Sequence, residues 1–268
     1  MLSTCRLLLG LLPPPLRCLA YSGRSLPPSP PAAPIFMSAP SALIEVERKY
    51  AAATDASSFQ QQVEQHGGEV LGHKRFTDVY YDTIGCSLTS RDIWLRARDG
   101  EWELKLPLDD EVSAVARSGG ERTVFKEVVG AAEVSRELEV LLPTSTKAAD
   151  ADDAERRLEQ ILRAAGATPF AEFETVRSRY RLGDCAIDAD IASFGHSVLE
   201  IEVMCCSREE VPAAEAEIQR VATLVGVTPL GDSGGKLETY IRRFCPMMLQ
   251  KLIEANILPA SLEEPPSQ

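Results

Sequence analysis

Histidine is scarce in this chain, with only His66, His73 and His196 among 268 residues, and none falls in an HExxH or similar zinc spacing. That excludes the common zinc hydrolase signature, and all three read as ordinary polar residues. The seven cysteines form no CxxC pair, which fits the reduced usage of intracellular proteins. The adjacent Cys205 and Cys206 lie in a strand pattern, where neighbours point to opposite faces, so packing explains them better than a redox pair. Long apolar runs are missing as well, so no segment can span a bilayer as a helix and no membrane partner is expected. Positive charge is in the minority. Lys and Arg number 28 against 40 Asp and Glu, a net charge of −12, which argues against a general nucleic-acid binder because a phosphate backbone is gripped by clustered cations. Any polyanionic ligand must meet a local basic site.

The charge is unevenly spread. Up to Ile44 the only charged residues are Arg6, Arg17 and Arg24, so residues 1–40 form an acid-free, Pro-rich extension ahead of an acidic body. Arg, Ser and Leu without acids fit an organelle transit peptide, so a mitochondrial address is one expectation. A short apolar run after one Arg also resembles a secretory signal, although the cysteine usage favours transit. Met37 offers a third reading, the start of a shorter cytoplasmic product. No internal repeat or second core is apparent, so one domain is expected over 41–250, with 251–268 as a tail.

From Leu43 the pattern is one of short alternating segments separated by turn residues, which predicts an antiparallel β protein. Strands are expected at Leu43–Tyr50, Val70–Asp82, Ile93–Ala97, Glu101–Leu106, Arg122–Val129, Phe170–Leu182, Cys185–Ile191 and Ser197–Met204. Asp99-Gly100 and Gly183-Asp184 predict tight hairpins. Helices are expected at Asp55–His66, Asp152–Ala165 and Arg208–Val225, with a last helical stretch broken near Pro246. The polar run Asp109–Gly120 reads as a loop.

Several of these strands carry charge on one face in an ordered way. Alternation puts Glu45, Glu47 and Lys49 on one side at steps of about 7 Å. Trp94, Arg96 and Arg98 share a face, as do Glu103 with Lys105, Asp188 with Asp190, and Glu200 with Glu202. Taken singly, each strand reads as the solvated side of a half-buried sheet. As a set, acid-only faces and base-rich faces fall on different strands. If the strands close into a barrel, the charged faces can point inward, with carboxylates on one wall and cations on another. Carboxylates suit Mg²⁺ and Arg or Lys suit phosphate, so such a lumen would bind a metal polyphosphate.

These residues resemble a known family. Glu45-Val46-Glu47-Arg48-Lys49 matches the ExExK signature of the CYTH superfamily, the triphosphate tunnel metalloenzymes. Asp78 to Thr83, Trp94-Leu95-Arg96, Trp102 to Lys105, Phe125-Lys126-Glu127, Glu200-Ile201-Glu202 and Lys236-Leu237 with Tyr240 and Arg243-Phe244 follow in order and approximate spacing, resembling its animal-type thiamine triphosphatases. ExExK alone is a weak pattern, whereas the ordered series from about Leu43 to Leu249 is specific.

The resemblance implies an α+β fold, an eight-stranded antiparallel closed β-barrel with flanking helices. It implies that Glu45, Glu47, Asp188, Glu200 and Glu202 hold Mg²⁺, while Lys49, Arg96, Arg98, Lys105, Arg177 and Lys236 bind the triphosphate. Glu200 would also touch substrate, and Arg179 competes with Arg177 for its role. Trp94 would lie against the thiamine moiety, and water would be activated by Tyr80 with a Lys105 whose pKa neighbouring cations lower, or by the metal that binds it. Asp190, Glu103 and Lys126 would stand behind these groups. The activity implied is that of a monomer hydrolysing thiamine triphosphate to thiamine diphosphate and phosphate. An inorganic triphosphatase, a class IV adenylyl cyclase and a silent polyphosphate-binding module are the rivals.

Overall fold

A computed structural model describes residues 43–108, 122–142, 153–230 and 234–260. The polar run Asp109–Gly120 and the N-terminal extension lie outside these residues. The strands are β1 (Leu43–Ala51), β2 (Glu69–Thr83), β3 (Trp94–Arg98), β4 (Glu101–Pro107), β5 (Arg122–Val129), β6 (Ala167–Leu182), β7 (Cys185–Ala192) and β8 (His196–Cys205). They close into an antiparallel barrel in the order β1-β5-β4-β3-β2-β6-β7-β8. Six helices flank it among the described residues: α1 (Ala56–Gln65), α2 (Ala131–Leu141), α3 (Ala154–Ala165), α4 (Val211–Leu224), α5 (Lys236–Phe244) and α6 (Pro246–Glu254). The expected α+β tunnel architecture is the one observed.

Local chemistry sets the corners. Asp99 and Gly100 both have positive φ, 49° and 90°, and let Arg98 face Glu101 across a two-residue hairpin. Gly183, at φ 62°, does the same between Leu182 and Cys185. Asp55 caps α1 by accepting the Ser57 and Ser58 backbone N–H groups. By contrast, α2 follows Gly130 with no capping side chain, so the sequence announces it only weakly. Its Val134 and Leu138 are held by tertiary packing against Leu158, Ile161 and Leu162 of α3.

The apolar side of the sheet is the outer one. Val46, Ile187, Leu199 and Ile201 bury beneath Phe59 and Val63 of α1 and Ile218 and Val221 of α4. On the opposite flank, Leu95, Leu104 and Val128 bury beneath α2 and α3. Each such side chain contributes roughly 1.5–3 kcal/mol when fully buried. With helices covering the apolar faces, the charged faces are left to the lumen, so the reading of solvated outer faces does not hold for this set. The packed body also runs beyond residue 250: Ile257 and Leu258 pack with Trp94, Leu237 and Leu249 beside Leu252. No helix among the described residues is long and apolar enough to cross a membrane.

Candidate active site

The lumen is a cavity of about 450 Å³, and the side chains expected to hold metal, phosphate, thiamine or water line it: the acids Glu45, Glu47, Asp188, Glu200 and Glu202, the bases Lys49, Arg96, Arg98, Lys105, Arg177 and Lys236, and the aromatics Tyr80 and Trp94. Twelve of these arrive by strand alternation from seven strands. Lys236 instead opens α5 and is 7% exposed. Lys49 runs close over Gly235, where a Cβ would stand 2.7 Å from Lys49 Cε, so a larger residue there would push the Lys49 side chain aside.

The acids divide into two groups. Glu45, Glu47 and Glu202 each offer an oxygen within 4.8 Å of the others, Glu47 and Glu202 being direct cross-strand partners. Burial together with Glu45, Asp188 and Glu47 pushes the Glu202 carboxyl up to about 8. Three converging carboxylate oxygens in a buried, electrically crowded trio fit a hard divalent cation, which would relieve the repulsion. Asp188 and Glu200 have other cation partners than Lys49 and Lys105, which pair with Glu47 and Glu45. Arg177 donates to Asp188 and, from Nη2, to Glu200 at 3.1 Å. Lys236 Nζ reaches Glu200 at 2.8 Å. Burial opposes ionisation of Glu200, but Lys236 and Arg177 hold it well below the usual carboxylate range.

The bases are likewise held in pairs. Arg98 donates to both carboxylate oxygens of Asp78, at 2.8 and 3.1 Å. Arg96 donates from Nε to Glu103 at 2.7 Å, Lys49 pairs with Glu47, and Lys105 pairs with Glu45. Behind Arg177 stands Asp190, accepting from Nε at 2.7 Å and Nη2 at 2.6 Å. Phe76 forms a floor for three cations, with Arg98 Cζ 4.1 Å, Arg177 Cζ 5.2 Å and Lys74 Nζ 5.5 Å from its ring centroid. A polyanion entering the cavity would exchange these carboxylate partners for phosphate oxygens.

Two expectations need correcting. Lys105 is not a lowered-pKa base: burial alone would lower it, but the adjacent Glu45 and Glu47 raise it above an ordinary lysine, so it stays a cation. Lys126 does not back the site, because it pairs with Glu137 on the outer surface at 2.7 Å, while its neighbour Glu127 lines the cavity. The sequence also left Phe76, Asp92 and Lys74 unnoticed as cavity residues, and Asp78 as the buried partner of Arg98. Alternation along β2 from Tyr80 would have found Lys74, Phe76 and Asp78. Arg179, the rival of Arg177, is 44% exposed in its side chain and lines the same cavity, whereas Arg177 is the buried one.

A closed antiparallel tunnel with paired cations around most of its wall and a carboxylate trio on the remainder defines a polyanion-binding protein with a place for a hard metal. The chain belongs to the CYTH family, whose domain description matches residues 43–231. It is 32% identical over 225 residues to the human protein named thiamine-triphosphatase, spanning 80% of this chain and 91% of that one. The Macaca fascicularis protein of the same name is equally similar, at 32% identity over 225 residues and the same coverage. Among solved structures, the PH1819 protein from Pyrococcus horikoshii covers 74% of this chain and 99% of its own at a TM-score of 0.50 and 17% identity, a likeness of fold.

Proposed function

We propose that this protein is a Mg²⁺-dependent hydrolase that converts thiamine triphosphate to thiamine diphosphate and phosphate. The observation that carries this reading is the convergence of six buried or half-buried cations and a three-carboxylate metal cradle on one cavity. The similarity to thiamine-triphosphatases over most of both chains supports the choice of substrate.

Phosphoryl transfer asks chiefly for positioning and charge neutralisation. Lys49, Arg96, Arg98, Lys105, Arg177 and Lys236 supply the neutralising charges, and their carboxylate partners keep them extended toward the lumen before substrate arrives. Glu45, Glu47 and Glu202 would hold the cation together with Asp188 and Glu200, which also orient Arg177 and Lys236. When bound, Mg²⁺ supplies charge neutralisation across the phosphate oxygens. Water attacks the terminal phosphorus, the bond from that phosphorus to its bridging oxygen breaks, the bridging oxygen leaves on thiamine diphosphate, and the proton lost by the water passes to a phosphate oxygen. Tyr80, the cross-strand partner of Arg96, orients this water. Lys105, beside Glu45, binds the phosphate and stands with Tyr80 at the attacking water.

The protein is assigned to work as a monomer. Its residues 1–40 are assigned as an extension that either directs mitochondrial import or is bypassed from Met37 to give a cytoplasmic form. Hydrolysis of thiamine triphosphate, ATP and tripolyphosphate, each with Mg²⁺ and with chelator, tests the activity. Thiamine triphosphate should be preferred and chelator should abolish turnover. Preference for tripolyphosphate would favour an inorganic triphosphatase, and cyclic AMP from ATP a cyclase. Fusing residues 1–40 to a fluorescent reporter tests the address.

A further inference from the structure

The cavity changes character along its length. Around Arg177 and Lys105 its wall is charge of both signs, whereas where β3 begins Trp94 meets Leu237, Ile257 and Leu258, with Asp92 lining the same space. Asp92 closes the turn Thr89–Arg91 in a left-handed conformation, φ 60° and ψ 31°, which Asp, Asn and Gly tolerate and most residues do not. From there its Oδ1 accepts the Trp94 indole Nε1–H at 2.9 Å. The turn is itself pinned, because buried Asp82 accepts the Leu88 and Thr89 backbone N–H groups at 3.0 and 2.9 Å and the Thr89 hydroxyl at 2.7 Å. A fixed chain of contacts therefore runs from the end of β2 to the plane of one indole. Stacking depends on that plane, since an indole free to turn about its χ2 presents an edge as readily as a face.

We propose that Asp92 is a positioning residue for substrate discrimination: by holding the Trp94 indole it fixes the ring face on which the flat heteroaromatic cation of an organic triphosphate stacks. The inference rests on the thiamine triphosphatase reading above and adds to it the group that makes the stacking selective. Inorganic tripolyphosphate has no ring and does not sense the indole plane. The effect therefore belongs in the ratio of kcat/KM for thiamine triphosphate to kcat/KM for tripolyphosphate.

The test uses the full chain and two replacements that both accept the left-handed backbone. Asp92→Asn keeps an oxygen acceptor for the indole N–H, while Asp92→Gly removes it. The substrate ratio of Asp92→Asn should stay within about twofold of wild type, and that of Asp92→Gly should fall roughly tenfold. NMR exchange of the Trp94 Nε1 proton should be slow in wild type and Asp92→Asn and fast in Asp92→Gly. Trp102→Phe assigns the two indole signals, because Trp102 packs elsewhere, against Tyr81 at 5.0 Å. An equal fall in both variants would credit the carboxylate charge rather than the anchor and overturn the proposal. An unchanged ratio in Asp92→Gly, or equal losses with both substrates alongside a lowered melting temperature, would overturn it too. A wild type that shows no preference for thiamine triphosphate would remove the parent reading, and this inference with it.

Discussion

Replacing Arg177 by methionine probes the paired-charge interior most directly. The guanidinium serves three acids at once: Asp190 at 2.7 and 2.6 Å, Glu200 at 3.1 Å, and Asp188. Their side chains are 0, 10 and 1% exposed respectively. Methionine keeps much of the length and apolar bulk but strands these carboxylates, with Lys236 as the main buried cation left to Asp190 and Glu200. Removing one partner of a buried pair costs about 3–5 kcal/mol. A domain of this size loses about 2–4 °C per kcal/mol, so the melting temperature should fall by roughly 6–20 °C. The loss should also depend on pH. Stranded buried carboxylates have folded-state pKa values above their unfolded ones, so between those values the folded variant binds more protons than the unfolded chain. The variant's deficit is then smallest in acid and grows as pH rises through the raised pKa values. Thermal melts of both proteins at pH 5 and pH 8, followed by circular dichroism, measure this. A loss below about 1 kcal/mol, the scale of a surface pair such as Arg75 with Glu174 at 65 and 41% exposure, or a deficit equal at both pH values, would refute the reasoning.

Glu47→Gln should leave the fold intact but lower Mg²⁺-dependent turnover by about a hundredfold or more, because it removes a ligand charge from the carboxylate trio. Titrating activity against Mg²⁺ checks this, and near-normal rates with an unchanged Mg²⁺ requirement would contradict it. Phe76→Leu should raise KM for tripolyphosphate about three- to tenfold, since the three cations lose their shared aromatic floor. An unchanged KM would make that floor irrelevant to binding. Burial, with Arg243 and Lys236 adding to it and Glu200 opposing, lowers the His196 pKa. A depressed folded-state histidine favours the neutral form, so stability is lost as pH falls through the unfolded-state value. Wild type should therefore lose more melting temperature between pH 7.5 and 5.5 than His196→Gln, and parallel curves would exclude this contribution.

The sequence by itself determined the strands and the faces of their side chains. Period-two alternation is local, so Glu45, Glu47 and Lys49, or Trp94, Arg96 and Arg98, were bound to share a side whatever the chain did next. The hairpins at Asp99-Gly100 and Gly183-Asp184 were equally legible, because left-handed φ is a property of those residues. Alternation could not say which side faces inward. That depended on α1 and α4, and on α2 and α3, covering the apolar faces from outside, and α2 carries no cap to announce it. Distant pairings were also beyond the sequence. Lys105 looked like a base among cations until closure of the barrel brought Glu45 from another strand beside it and raised its pKa. Asp188 and Glu200 could be placed from the sequence only on acidic faces, and β6 and α5 delivered Arg177 and Lys236 to them as partners. Asp92 drew no notice, since its meaning lies in one left-handed turn and one indole proton. Residue type and spacing fix which groups share a face, whereas charge partners, and with them pKa and chemical role, are set by contacts between strands and helices far apart in the chain.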